Sequence, residues 1–153
     1  MHRASNQHPM SDTVYVLNGP NLNLLGLREP EIYGSNTLDD VASMLEDRAL
    51  ELGVSVDVRQ SNHEGHLLDW MHEAFTEGAK AIILNAGALT HTSIALYDAI
   101  KAITVPVIEV HISDPTTREE FRHHSYVGLA AAHTIQGHGV KGYVEALEYA
   151  AKL

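Results

Sequence analysis

Short apolar runs of the kind that form buried strands alternate along this chain with stretches whose apolar residues recur every three to four positions. That alternation restricts the fold more than any other feature. Val14 to Leu17 reads as a first strand. Thr37-Leu-Asp-Asp40 has the form of a capping box, and it opens a helix whose stripe runs through Leu38, Val41, Ala42, Leu45, Ala49 and Leu52 before Gly53 ends it. Val54 to Arg59 alternates as a second strand. A helix with Leu67, Trp70, Met71, Ala74 and Phe75 on one face then runs to Gly78. Lys80 to Asn85 is a third strand, whose Ile82-Ile83-Leu84 centre is apolar on both faces, as a central parallel strand covered by helices requires. Ala95, Leu96, Ala99, Ile100 and Ile103 mark the next helix, and Val105 to Val110 a fourth strand. A short helix is expected over Thr116 to Arg122, a fifth strand over Ala131 to Gln136, and a last helix through Val140, Val144, Leu147 and Ala151. Five strand-helix units of about 25 to 30 residues predict an α/β fold with an open, five-stranded parallel sheet.

A chain of 153 residues, 44% of them apolar, can bury one substantial core, so residues 13–153 are expected to form a single catalytic domain. Residues 1–12 are polar and aperiodic and are set aside as a disordered tail. No apolar run approaches the roughly 18 residues needed to span a bilayer, and no hydrophobic signal core opens the chain. A soluble, cytoplasmic protein is the expectation. The absence of cysteine removes disulfides, thiolate nucleophiles and thiolate metal sites together. A formal charge of -10 disfavours nucleic acid and anionic membrane as partners.

The segment from Leu17 to Tyr33 breaks the alternation. Gly, Pro and Asn at positions 18–21 stop the first strand, and a long connector follows that carries Asn21, Asn23, Arg28 and Tyr33 among Leu22, Leu24, Leu25, Leu27 and Ile32. So apolar a loop would cover something on closing, and it reads as an active-site lid. Open parallel sheets bind ligands at the carboxyl ends of their strands, beside the switch in strand order. The polar clusters Asn18 to Tyr33, Asn85 to Thr92, and His111 to Ser113 are therefore expected to meet in one crevice.

Several chemistries lack their motifs. There is no G-x-G-x-x-G after the first strand, no Walker A lysine and no G-x-S-x-G elbow, and the first loop lacks the hydroxyls of a flavin-phosphate cradle. Lys80, Lys101 and Lys141 fall at a strand start, a helix end and a helix start, away from the crevice, which argues against an imine mechanism. Eleven histidines include His63-x-x-His66 and His123-His124, but neither pair has a convincing set of partner ligands, so no metal site is assigned.

What remains is acid-base chemistry. Lid closure could bring Arg28 beside the Tyr33 phenol, favouring tyrosinate as a proton acceptor, at a demand of roughly 4 kcal/mol for ionisation near neutrality. Arg118 and Arg122, four residues apart on the short helix, are the available second cations. Glu109 lies on the same side of its strand as His111, where a carboxylate fixes the imidazole tautomer and suits it to donate a proton. Asn85, Thr90 and His91 occupy the third crevice loop, in which Gly87 lets the backbone approach a ligand.

Asn-Gly-Pro-Asn-Leu-Asn-Leu-Leu-Gly (18–26), Arg-Glu-Pro-Glu-Ile-Tyr-Gly (28–34), Gln-Ser-Asn-His-Glu-Gly (60–65), Leu-Asn-Ala-Gly-Ala-Leu-Thr-His (84–91), Glu-Val-His-Ile-Ser (109–113) and Arg-Glu-Glu-Phe-Arg-His-His-Ser (118–125) together resemble the type II 3-dehydroquinate dehydratase family. The resemblance implies a flavodoxin-like three-layer sandwich and reversible dehydration of 3-dehydroquinate to 3-dehydroshikimate in the shikimate pathway, with no cofactor. It also implies a homododecamer built as a tetramer of trimers. Carried over by position, Tyr33 would take the C2 proton, Asn21 would hold a water that stabilises the enolate, and Arg28 would be the lid cation. His111 would protonate the departing hydroxyl with Asn85 in support, and the backbone at Ile112 and Ser113 would grip the carboxylate. His91 and Arg122 would bind ring hydroxyls, Arg118 would support the tyrosinate, and Asp98 would reach a neighbouring subunit's site. The residues by themselves leave open a binding module for a nucleotide or phosphorylated ligand, and a scaffold that only oligomerises.

Overall fold

The computed structural model describes residues 1–4, 12–27 and 29–153. Alternation becomes layering in the sheet. In strand β2 (Thr13–Asn18), Val14 and Val16 face one core, while Tyr15 and Leu17 face a second. Strand β4 (Ala81–Asn85) divides in the same way, Ala81 and Ile83 against Ile82 and Leu84. Helices α2 (Leu38–Leu52) and α6 (Lys141–Ala151) cover the first face, and α3 (Glu64–Thr76) and α4 (Ile94–Ala102) with the short α5 (Tyr126–Ala130) cover the second. The result is a three-layer α/β/α sandwich.

Strands β3 (Ser55–Gln60), β5 (Val107–His111) and β6 (His133–Gln136) complete the parallel part of the sheet. Its order is β3-β2-β4-β5-β6, the flavodoxin-like arrangement with its switch between β2 and β4. A sixth strand departs from the expected five. β1 (His2–Ala4) pairs antiparallel with β3, matching His2 to Arg59 and Ala4 to Asp57. It lies in the segment set aside as a tail, and it is held by the edge ladder, by a contact of His2 Nε2 with Asp57 Oδ1 (2.8 Å) and by an ion pair of Arg3 with Glu46 (2.5 Å). Residues 5–11 of that segment lie outside the described residues.

The capping box of α2 forms as expected: Thr37 Oγ1 accepts from the Asp40 amide, and the Asp40 carboxylate accepts from the Thr37 amide. Such a cap is worth about 1 kcal/mol. Two other segments differ from expectation. The lid carries a 3-10 turn at Leu22–Leu24 and a single helical turn α1 (Pro30–Tyr33), begun where Pro30 supplies a preset φ. The helix expected over Thr116 to Arg122 is instead two 3-10 turns, Pro115–Thr117 and Glu120–Arg122, with Arg118 extended between them. Asp114 caps the first turn by accepting from the Thr116 amide, with Pro115 at its first position, and the extended backbone at Arg118 ends it there.

Candidate active site

The register places polar residues side by side at the carboxyl ends of the central strands, where Asn18 pairs with Gln60 on one side and Asn85 on the other. Beyond them the chain must turn sharply. Gly19 crosses the loop after β4 so closely that a Cβ would meet the Ala86 carbonyl oxygen at 2.5 Å, and Gly87, at φ +60°, approaches the Pro20 carbonyl oxygen. These two glycines let the first and third crevice loops interlock. The cleft that opens there has a volume of about 180 Å³ and is lined by Asn21, Leu22, Tyr33, Asn85, His91, His111, Ile112, Ser113, Arg118 and Arg122 among others. The three polar clusters meet as the strand-end rule requires. A volume below the roughly 300–1,000 Å³ of drug-sized sites selects a compact ligand.

On one wall, Arg118 Nη1 donates to the Tyr33 hydroxyl oxygen at 2.6 Å, and its guanidinium carbon lies 5.3 Å from the ring centroid. The same guanidinium lies within 3.7 Å of Glu29 and reaches Ser113 Oγ at 3.4 Å. A guanidinium so close stabilises negative charge on the phenol oxygen. The two arginines do not act as a pair on one helical face, because the extended backbone at Arg118 sends them apart. Arg122 lines the cleft farther along and donates to Glu119 at 2.9 Å. Arg28 lies outside the described residues.

His111 occupies another wall. Its Nε2 lies 2.7 Å from Glu109 Oε2, across two residues of β5, as the strand period predicts. Burial works against a charge on Glu109, but hydrogen bonds from His111, Ser125 (2.5 Å) and Thr134 (2.7 Å) outweigh it and hold the carboxyl below its usual range. An ionised carboxylate only accepts, so Nε2 carries a hydrogen and Nδ1 is the ring atom left for the cleft. His91 is fixed by a similar argument: its Nδ1 lies 2.7 Å from the His124 carbonyl and must donate there. Burial holds that imidazole below its ordinary range, which favours the neutral ring.

Asn21, at φ 71°, stands at the cleft in the left-handed region that asparagine tolerates, and its backbone N–H donates to Asn62 Oδ1 at 2.9 Å. Gln60 Nε2 donates to the same oxygen at 3.1 Å and to the Gly19 carbonyl at 3.2 Å. Sequence reasoning assigned no role to Gln60 or Asn62. Their signal was present, since they close the one inner strand whose carboxyl end was left out of the crevice. Thr90 is buried and does not line the cleft, and Asp98 is exposed on α4, also outside the lining. Among the described residues, no cluster of three or more His, Asp or Glu side chains could hold a metal ion.

Folding lowers the Glu109 pKa from its ordinary 4.5, so the unfolded chain binds more protons there than the folded one. Its contribution to stability is complete above the unfolded value and is lost as pH falls through the lower folded value. Glu109→Gln is therefore expected to melt below wild type at neutral pH, with each kcal/mol lost lowering the transition by about 2–4 °C. The two curves should converge as pH falls through the lowered folded-state value of Glu109. A gap that stayed constant down to strongly acidic pH would show that the charge contributes nothing.

The dehydroquinase class II family model matches residues 12–151. A 3-dehydroquinate dehydratase of Caulobacter vibrioides is 57% identical over 141 residues, covering 92% of this chain and 96% of that protein. One from Variovorax paradoxus is 57% identical over 138 residues, with 88% and 94% covered. The crystal structure of type II dehydroquinase from Propionibacterium acnes superposes with a TM-score of 0.90 at 45% identity, covering 95% of this chain and all of that one. A type II dehydroquinase from Butyrivibrio crossotus superposes at 0.88 and 40%, covering 90% and 96%. Every segment that lines the cleft falls inside the matched region, and the whole fold superposes on the solved dehydroquinase structures, so the chain belongs to the class II dehydroquinase family.

Proposed function

We propose that the cleft catalyses the reversible elimination of water from 3-dehydroquinate to give 3-dehydroshikimate, a step of the shikimate pathway. The observation that carries this reading is the pairing of two different proton-transfer groups across one small cleft: Tyr33, met by Arg118 at 2.6 Å, and His111, backed by Glu109 at 2.7 Å. Elimination next to a ketone needs both. Tyr33, as the phenolate, takes the proton at C2, and the electron pair moves onto the neighbouring carbonyl oxygen as an enolate. Asn21 holds a water that donates to that oxygen. His111 then gives a proton to the C1 hydroxyl, which leaves as water while the carbonyl re-forms and a double bond joins C1 to C2.

The remaining groups bind the ring. The backbone at Ile112 and Ser113 holds the carboxylate, His91 and Arg122 take hydroxyls, Asn85 supports the departing oxygen, and Arg28 joins Arg118 as a lid cation. The reaction is redox-neutral and every proton has a protein partner, so no cofactor is required. Residues 13–153 act as one catalytic domain in the cytoplasm. No helix among the described residues is long and apolar enough to cross a membrane. The chain works as a homododecamer, a tetramer of trimers in which Asp98 completes a neighbour's site. This agrees with the exposure of Asp98 on α4 and with Ile94 and Leu129, 55% and 66% exposed on the packed pair α4 and α5. Purified protein given 3-dehydroquinate, without added metal or cofactor, is expected to generate the absorbance of a conjugated enone. No change in absorbance would refute the activity.

A further inference from the structure

Tyr143 sits in α6, fully buried and outside the lining of the cleft, yet its hydroxyl lies between two asparagines that end neighbouring central strands. It bonds Asn18 Oδ1 at 2.7 Å and Asn85 Nδ2 at 2.8 Å. Burial pushes the phenol far above its ordinary range, so the group is neutral and has one proton to give.

An asparagine amide can exchange its two ends by a half-turn of its terminal torsion, and which end faces a substrate decides whether it offers a donor or an acceptor. Here the choice is forced from both ends of a relay. The Arg59 carbonyl can only accept, so Asn18 presents Nδ2 to it at 3.1 Å and turns Oδ1 toward Tyr143. The single proton of Tyr143 therefore goes to Asn18, and its oxygen must accept from Asn85 Nδ2. Asn85 Oδ1 is then left facing the Gly87 amide at 3.2 Å, a group that can only donate. The two ends agree. Flipping Asn85 would set its oxygen against the Tyr143 oxygen, whose only proton is already given to Asn18, and two N–H groups against each other, at a buried site where each unmet group costs about 1–3 kcal/mol.

We propose that Tyr143 is a positioning residue for the dehydration, locking through Asn18 the one orientation of the Asn85 amide that the cleft wall presents to the reacting molecule. The proposal rests on the dehydratase reading of that cleft. It is tested by measuring kcat/KM on 3-dehydroquinate for wild type, Tyr143→Phe, Asn85→Ala and the double variant, each well below its own melting transition. Tyr143→Phe is expected to lose about tenfold in kcat/KM, and to add less than about twofold in the Asn85→Ala background, since its effect passes through that side chain. Asn18→Ala, which frees the Tyr143 hydroxyl from the far side, should show the same pattern, and it decides the matter if Tyr143→Phe does not fold. The inference is overturned if either variant stays within about twofold of wild type, or if the same tenfold loss persists without the Asn85 amide. A wild-type chain with no turnover at all would bring down the dehydratase reading, and the relay's role with it.

Discussion

Tyr33→Phe is expected to assemble normally and to lose turnover by about 10²–10⁴-fold, the usual worth of a positioned general base. The substitution removes one oxygen and leaves the ring, which packs against the core edge beside the lid and lies under the Arg118 guanidinium. Half-buried as it is, the side chain contributes little to stability through that oxygen, so activity and fold should separate cleanly. The expected signature is a fall in kcat with KM changed far less, because the phenol oxygen acts on a proton in the transition state and grips no part of the ground-state substrate. Steady-state kinetics beside a melting curve check it. A variant that turned over at the wild-type rate would remove Tyr33 from the chemistry.

The second large effect is expected from His111→Ala. Its imidazole is the group that makes hydroxide a feasible leaving group, and loss of general acid catalysis at that step should again lower turnover by about 10²–10⁴-fold. The structural cost differs, because Glu109 is buried and one of its hydrogen bonds comes from His111. Ser125 and Thr134 still donate to that carboxylate in the variant, so the charge is not abandoned. The folded variant should therefore form at a reduced melting temperature, bind substrate and fail to release water.

The strands of both core faces were legible because Val14 to Leu17 and Ala81 to Leu84 alternate between two apolar environments, which only a doubly covered sheet provides. β1 was not. His2, Arg3 and Ala4 carry no apolar pattern, and what holds them is pairing to an edge some fifty residues away together with side-chain contacts to Asp57 and Glu46, neither of which is a local signal. The crevice was legible from strand ends alone, and Glu109 beside His111 from the two-residue period. Arg118 reached the right place by a different geometry from the one expected. Helical spacing suggested a shared face with Arg122, whereas the Asp114-Pro115 turn and the extended Arg118 aim a single guanidinium at Tyr33. The relay from Arg59 through Asn18 and Tyr143 to Asn85 spans over a hundred residues of sequence, and only coordinates could bring its members together.

The central claim is that base and acid are separate groups, Tyr33 making the enolate and His111 completing the elimination. Exchange of the C2 hydrogen of 3-dehydroquinate in deuterated water tests it most directly. His111→Ala should still wash deuterium into C2 while producing almost no enone, and Tyr33→Phe should do neither. Exchange abolished in His111→Ala but retained in Tyr33→Phe would contradict the account, because it would make the histidine the base.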